Sequence, residues 1–258
     1  MSDYKTRFGG IARLFENEGL ERLRHAHVMV IGIGGVGTWS VEALARSGIG
    51  RLTVVDLDDV CVTNVNRQIH ALDGTIGKAK VTAITERARL INPEIECTAI
   101  TEFFTAANAD RLLDSKPNYV IDAIDNVTNK CLLIAKCRER KIPVITCGGA
   151  GGLQSGVEVR IADLTRTTHD SLLKLVRKSL RKEHGFPGDP KRKFRVPAVY
   201  SPEKPVYPWA DGSVCETKEA GTDLKLDCAS GFGTATFVTG AFGFAAAEHV
   251  VREIASNG

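Results

Sequence analysis

The fold depends first on the stretch His27-Val-Met-Val-Ile-Gly-Ile-Gly-Gly-Val-Gly37. Its apolar half predicts a buried strand, which leads directly into a glycine-rich turn and then into a helix. Such a turn places a helix N-terminus and several backbone N–H groups around a phosphate group. The stretch therefore predicts that a nucleotide binds near residue 35.

Strands and helices alternate on the C-terminal side of this turn. Apolar spacing predicts strands at 27–32, 51–56, 95–101, 119–124 and 143–146, and helices at 36–47, 80–91 and 127–140, after an amphipathic segment at 3–25. This alternation is typical of a Rossmann-like α/β fold with a doubly wound, mostly parallel sheet. Ligands bind such sheets at the carboxyl ends of the strands, so we expect the site there.

The character of the chain changes after residue 152. We predict a strand at 157–161, a basic helix at 170–184, a long loop at 185–228 and an apolar helix at 228–247. We therefore expect two parts, a nucleotide-binding part, 1–152, and an appended part, 153–258. The apolar stretch is long enough to span a bilayer, but its four glycines and its hydroxyl side chains favour a packing or dimer helix over a membrane anchor.

Composition excludes several classes of protein. A net charge of +3 is far below that of a dedicated nucleic-acid coat, and 43% hydrophobic residues are ample for a buried core. Seven cysteines without Cys-x-x-Cys spacing argue against a disulfide framework and a zinc ribbon. We expect reduced thiols, a cytoplasmic location and no signal peptide.

The glycine pattern alone does not identify the nucleotide. Gly32-x-Gly34-x-x-Gly37 fits a dinucleotide fingerprint, and Asp56, 19 residues after Gly37, stands where a ribose-binding acid is expected. An NAD(P) oxidoreductase is therefore one interpretation.

Three later residues favour nucleotidyl transfer instead. Arg67 and Lys80 supply cations for a triphosphate, and Asp125 supplies a carboxylate for Mg²⁺. The alternatives are a solvated helix face for the two cations and an N-cap of helix 127–140 for Asp125. All three together at strand ends favour ATP as the ligand.

At these motifs the chain resembles the ubiquitin-activating superfamily, which includes the bacterial ThiF-type adenylating enzymes of molybdopterin and thiamine synthesis. The motifs are Gly-x-Gly-Gly-x-Gly, Asp56-x-Asp58, Asn64-x-x-Arg67-Gln, Lys80 and Asp125-Asn126. Further stretches, Arg7-Phe-Gly-Gly-Ile-Ala-Arg13, Gly148-Gly-Ala-Gly-Gly152 and Asp227-Cys-Ala-Ser-Gly-Phe-Gly233, resemble the family of tRNA threonylcarbamoyladenosine dehydratases.

The resemblance implies a set of roles. ATP would be held by Gly32, Gly34, Gly35, Gly37, Asp56, Asp58, Asn64, Arg67, Lys80 and Asp125, and Asp125 would bind Mg²⁺. Catalysis would rest on Arg67, Lys80 and Asp125, with Arg7 or Arg13 reaching the ATP of the partner in a homodimer. The reaction would adenylate the threonyl carboxylate of a modified tRNA and then close a ring. The alternative is activation of a small sulfur-carrier protein.

Cys228 and a basic run complete the candidates. The superfamily's thiol chemistry makes Cys228 a possible nucleophile; Cys61, Cys147 and Cys215 are weaker candidates, and Cys97, Cys131 and Cys137 fit a core. The resemblance also implies helper proteins of a sulfur-transfer (cysteine desulfurase) system. The predicted tRNA surface consists of Lys174, Arg177, Lys178, Arg181, Lys182, Lys191, Arg192, Lys193 and Arg195. The alternative for this basic run is a solvated helix and loop. The lone histidines His70 and His169 are interpreted as structural.

Overall fold

The computed structural model describes residues 3–189, 191–219 and 232–256. The helices are α1 (Tyr4–His25), α2 (Gly35–Arg46), α3 (Lys80–Ile91), α4 (Ala109–Leu113), α5 (Val127–Arg140), α6 (Ser171–Glu183) and α7 (Thr236–Ser256). The strands are β1 (His27–Ile31), β2 (Arg51–Val55), β3 (Glu96–Ile100), β4 (Tyr119–Asp122), β5 (Val144–Cys147), β6 (Arg160–Asp163), β7 (Pro197–Tyr200), β8 (Tyr207–Pro208) and β9 (Val214–Cys215).

Seven strands form one sheet in the order β3-β2-β1-β4-β5-β7-β6. All neighbours are parallel except β6 and β7. The strand order reverses between β1 and β4, and Ile31 pairs with both Val55 and Asp122, so β1, β2 and β4 end side by side. The prediction of a doubly wound, mostly parallel sheet is confirmed, and the reversal creates the crevice where ligands bind.

Helices cover both faces of the sheet, and β1 shows why. Val28 and Val30 point into a core shared with α2, α3 and α7, whereas Met29 and Ile31 point into a core shared with α4, α5 and α6. Successive side chains of a strand alternate between its faces, so a strand that is apolar throughout must be covered on both sides.

The C-terminal part departs from the sequence prediction. Pro197–Tyr200, predicted to be loop, is strand β7 inside the main sheet, and the strand predicted at 157–161 is β6 at Arg160–Asp163. Helix α7 packs along α2, and Gly243 permits the contact because a Cβ there would lie 2.6 Å from the Trp39 Cβ. None of the described helices is both long and apolar enough to cross a membrane.

Candidate active site

The turn after β1 has a conformation that requires glycine. Gly32 has φ +89°, and a Cβ on it would lie 2.7 Å from the carbonyl oxygen of Ala123. A Cβ on Gly37 would collide with the carbonyl oxygen of Gly32. Gly34 precedes Gly35, the first residue of α2, and among the described residues a Cβ on Gly34 would meet nothing within 4 Å. Both glycines line the cleft described below, so the N-terminal end of α2 borders a space that suits an anion.

Asp56 ties this turn to the end of β2. Its carboxylate accepts hydrogen bonds from the N–H of Ile33 (2.5 Å) and of Asp58 (2.8 Å). Burial raises the pKa of Asp56, while the nearby charge of Lys80 lowers it. Asp56 also lines the cleft described below, so it can both hold the turn and face a ligand.

Lys80 is the first residue of α3, and its side chain is only 8% exposed. The Nζ atom lies 2.7 Å from Oδ2 of Asp58. The alternative of a solvated helix face is therefore wrong for Lys80. Its ammonium group stands at the cleft, held by a carboxylate that is itself half-exposed.

Arg67 lies in the loop after β2, where its backbone is fixed from two helices. Its carbonyl oxygen accepts hydrogen bonds from Trp39 Nε1 (3.0 Å) on α2 and from Thr239 Oγ1 (3.2 Å) on α7. The guanidinium group donates to the carbonyl of Thr63 (2.6 Å) and to Asn66 Oδ1 (3.1 Å). Arg67 is half-buried and outside any helix, so the solvated-helix alternative is wrong here too.

Asp125 follows β4 and faces the same crevice. The N-cap of α5 is Asn126, whose Oδ1 accepts a hydrogen bond from the N–H of Asn129 (3.1 Å). The alternative that Asp125 caps this helix is therefore wrong. Within the described part of the chain, the Asp125 carboxylate has no hydrogen-bond or ion-pair partner, so it is available to a ligand.

A buried ion pair holds the backbone just before Asp125 in place. Lys130 Nζ lies 3.1 Å from Asp122 Oδ2, and both side chains are fully buried. The same Nζ donates to the carbonyl of Ile124 (2.8 Å), and Asp122 accepts from Thr146 Oγ1 (2.7 Å). Lys130 therefore fixes the backbone immediately before Asp125, and the sequence did not single it out.

These residues surround an open cleft of about 840 Å³. The predicted ATP-binding residues that line it are Gly32, Gly34, Gly35, Asp56, Asp58, Asn64, Arg67, Lys80 and Asp125. Gly37 does not line it and packs against the Gly32 carbonyl instead. Asn64 is buried, and its Oδ1 accepts from the N–H of Cys61 (3.0 Å). Gln68, Phe103 and Asn129 also line the cleft, and the sequence assigned no role to them. Gln68 is buried, and its Oε1 has no partner among the described residues.

A smaller cavity of about 210 Å³ adjoins the cleft. The two share a wall made by Gly34, Gly35, Arg67 and the segment Ala123–Asp125. The far wall consists of the loop 148–151 and the start of α6, including His169. His169 was interpreted as structural, but the structure places it at this cavity; the Gly148–Gly152 run after a strand was the sequence signal for the location.

The two candidate arginines near the N-terminus lie elsewhere. Arg7 is paired with Asp3 at 2.8 Å, and Arg13 is exposed on α1. Neither lines the cleft or the smaller cavity of its own chain.

The cysteines divide by burial. Cys131 and Cys137 lie in the core as predicted, and Cys97 packs against it. Burial raises the pKa of the Cys147 thiol to about 12, which disfavours a thiolate there. Cys61 is exposed and Cys215 partly exposed. Cys228 lies outside the described residues.

The predicted tRNA surface divides into two groups. Arg177 and Arg181 contact the protein itself: Arg177 donates to Thr167 Oγ1, and Arg181 lies over the Phe194 ring at 5.1 Å. The others are exposed, and among the described residues they form no ion pair: Lys174, Lys178, Lys182, Lys191, Arg192, Lys193 and Arg195. Lys174, Lys178 and Lys182 are spaced by four along α6 and so share one face of it.

Comparison with known proteins adds to this geometry. The model of the ThiF family matches residues 9–255. The Haemophilus influenzae tRNA threonylcarbamoyladenosine dehydratase is 49% identical over 254 residues, which cover 98% of this chain and 95% of that protein. A structure of the Escherichia coli tRNA N6-threonylcarbamoyladenosine dehydratase in complex with ATP superposes with a TM-score of 0.88 at 42% identity, over 99% of this chain and 96% of that one. The Salmonella typhimurium molybdopterin-synthase adenylyltransferase is 36% identical over 149 residues, which cover 58% of this chain and 59% of that protein.

Proposed function

The chain belongs to the ThiF family, and on that premise we propose that it is an ATP-dependent tRNA threonylcarbamoyladenosine dehydratase. The observation that carries the proposal is the cleft itself: a helix N-terminus, two cations and a carboxylate without a partner among the described residues meet at the switch point of the sheet. The similarity to dehydratases extends over nearly the whole chain, including α6 and α7, whereas the similarity to the molybdopterin enzyme covers little more than half of it.

The cleft is suited to a nucleoside triphosphate. Its volume of about 840 Å³ is within the range of pockets that hold a whole small molecule, roughly 300–1,000 Å³. The N–H groups at the start of α2 would hold phosphate oxygens, Asp56 would face the ribose, and Arg67 and Lys80 would neutralise charge on the phosphates. On binding, Lys80 would exchange part of its contact with Asp58 for the phosphates.

Mg²⁺ fits this donor set. Among the described residues no group of three or more His, Cys, Asp or Glu side chains is placed to hold a metal, so the protein offers no cage there. Mg²⁺ is commonly held by one or two carboxylates together with substrate phosphates, and Asp125 supplies such a carboxylate beside the phosphate position. When bound, the ion would neutralise charge on the triphosphate.

The reaction has two steps. The threonyl carboxylate attacks the α-phosphorus, a bond forms between carboxylate oxygen and phosphorus, and pyrophosphate leaves. The neighbouring carbamoyl group then attacks the acyl carbon, loses one proton, and AMP leaves with the bonding electrons. Because nucleophile and electrophile belong to one molecule, proximity accelerates this ring closure.

The wider assembly belongs to the same proposal. Residues 1–152 would hold ATP and residues 153–258 the tRNA, with the exposed cations of α6 and 191–195 contacting phosphates. Arg7 or Arg13 would complete the ATP site of the partner in a homodimer. A role for Cys228, helper proteins of a cysteine desulfurase system and a cytoplasmic location are further parts of the proposal.

Mass spectrometry of nucleosides tests the function. Threonylcarbamoylated tRNA incubated with protein and ATP should yield a nucleoside lighter by one water, and Asp125→Ala should abolish this loss. Asp73→Ala, at an exposed position away from the cleft, is the control and should keep full activity.

Pyrophosphate exchange separates the alternatives. Exchange stimulated by tRNA supports the dehydratase, whereas exchange stimulated only by a small carrier protein would favour the sulfur-transfer alternative. Nicotinamide binding without exchange would favour an oxidoreductase.

A further inference from the structure

The smaller cavity opens onto the reacting end of the nucleotide cleft. The wall that the two share includes Gly34 and Gly35 at the start of α2, together with Arg67 and Asp125. These residues are the ones proposed to hold phosphates and Mg²⁺. A group in the smaller cavity would therefore lie next to the phosphates and away from the ribose end marked by Asp56, which does not line it.

The size of this cavity limits its occupant. About 210 Å³ is below the roughly 300 Å³ at which pockets for drug-sized ligands begin. It accommodates a side-chain-sized group, and a second nucleotide would not fit.

For one glycine on its far wall, Gly149, the described residues offer no packing reason. A Cβ on Gly148 would collide with the Asp170 carboxylate, and one on Gly151 would lie 2.9 Å from the Phe232 Cβ. A Cβ on Gly149, by contrast, would meet nothing within 4 Å among the described residues, and its φ does not fall in the left-handed region. Packing explains the first two glycines, whereas the described part of the chain leaves the space beside the third unfilled.

The far wall is nevertheless held in place. Asp170 accepts hydrogen bonds from the N–H of Gly149 (2.9 Å) and from the N–H of Leu173 (2.8 Å) in the first turn of α6. His169, immediately before it, has φ +56°, a strained conformation for a residue with a side chain. The loop and the start of α6 are thus fixed against each other around an open space.

The charges on α6 indicate where the occupant comes from. Lys174, Lys178 and Lys182 form one exposed stripe that begins a turn beyond the cavity and runs along the helix. A backbone bound along this stripe would present a nucleotide at the N-terminal end of α6. Tyr207 lies at the same cavity, with its ring 5.4 Å from that of Phe232, where an aromatic side chain can stack on an exposed base.

We propose that the smaller cavity is the acceptor pocket: it receives the threonylcarbamoyl group of the tRNA and directs its carboxylate toward the shared wall. This inference rests on the proposed function. Gly149 is a specificity-determining position, because any side chain there occupies space that the acceptor needs.

A graded series at Gly149 tests the pocket. In Gly149→Ala, Gly149→Val and Gly149→Leu, formation of the cyclised nucleoside in single turnover should fall progressively, by about 100-fold or more for Leu, because a displacement of about 1 Å at a reacting group can cost that much. The ATP dissociation constant and the melting temperature should stay near those of the wild type. Gly74→Leu is the matched control, since in the described part of the chain a Cβ on Gly74 also meets nothing within 4 Å and Gly74 lines neither cavity.

A competition experiment uses a small probe. N-carbamoylthreonine should inhibit the wild-type protein competitively with tRNA and not with ATP, and Gly149→Leu should be insensitive to it. Wild-type turnover in Gly149→Leu, or a loss of ATP affinity equal to the loss of turnover, would overturn the acceptor pocket. If the wild type itself removes no water from threonylcarbamoylated tRNA, the proposed function fails instead, which separates the two outcomes.

Discussion

Replacing Lys130 by Met tests whether the buried ion pair supports the Asp125 loop. The change removes the ammonium group 3.1 Å from Asp122 Oδ2 and leaves that carboxylate fully buried. Among the described residues it then keeps the Thr146 hydroxyl and the Ile124 N–H as its partners. Breaking a buried pair from one side costs about 3–5 kcal/mol. That is a large part of the roughly 5–15 kcal/mol by which domains are stable, so urea unfolding should show it clearly.

The effect should depend on pH in a defined direction. Without the ammonium group, burial raises the pKa of Asp122 further above its unfolded value. A group with a raised folded pKa stabilises the fold only while it is protonated. The deficit of Lys130→Met should therefore shrink as the pH falls toward the ordinary range of aspartate and grow as it rises.

Two further variants make the reasoning refutable. Asp122→Asn in the Lys130→Met background removes the unpaired charge and should recover part of the stability. Lys204→Met breaks a pair with Glu216 that is about two-thirds exposed on both sides, and it should cost less than about 1 kcal/mol. A loss below about 1 kcal/mol in Lys130→Met, or a double variant no more stable than the single one, would show that the pair does not act as described.

The glycines of the turn and the buried His70 give further predictions. Gly37→Ala should destabilise the fold by about 1–3 kcal/mol, because its Cβ collides with the Gly32 carbonyl. Gly34→Ala should keep the melting temperature and weaken ATP binding, because the described residues leave open space around its Cβ. An equal loss of melting temperature in the two variants would contradict this. His70 is buried, and its pKa is lowered to about 4, mainly by desolvation. As the pH falls, the unfolded chain therefore binds a proton at His70 before the folded chain does, and His70 should reduce the free energy of unfolding by about 2 kcal/mol between pH 7 and pH 5. Urea titrations of His70→Leu at both pH values should lack this component.

The sequence predicts best where a pattern is long and has clear ends. Helices α3 and α5 begin and end where they were predicted, because their apolar faces repeat over three or more turns and Asn92-Pro93 stops the first of them. Strand β7 was missed because four residues that begin with proline carry no clear period. Proline is tolerated at the first position of a strand. Pro197–Tyr200 is a strand because it pairs with β5 on one side and β6 on the other, which the local sequence does not indicate.

The convergence of the candidate site residues could be predicted from the sequence, whereas the contacts that support them could not. Arg67, Lys80 and Asp125 follow strand ends, and the carboxyl ends of parallel strands meet, so their convergence follows from topology. Lys130 gave no such signal, since a lysine inside an amphipathic helix usually faces water. Its burial depends on Asp122 lying one strand end away, which is a tertiary contact without a local pattern.

Helix α6, which carries part of the proposed tRNA surface, packs against the helix that supports the proposed Mg²⁺ ligand. Its apolar face, including Leu173 and Val176, packs in the same core as Cys131 and Ile134 of α5, and the Val176 carbonyl lies 3.7 Å from Cys131 Sγ. Helix α5 in turn carries Lys130, which holds the backbone before Asp125. If tRNA binds the exposed lysines of α6, as proposed, two packed helices connect it to Asp125, the proposed Mg²⁺ ligand. Because the start of α6 also lines the smaller cavity, the proposed acceptor would be positioned by packing that is already in place.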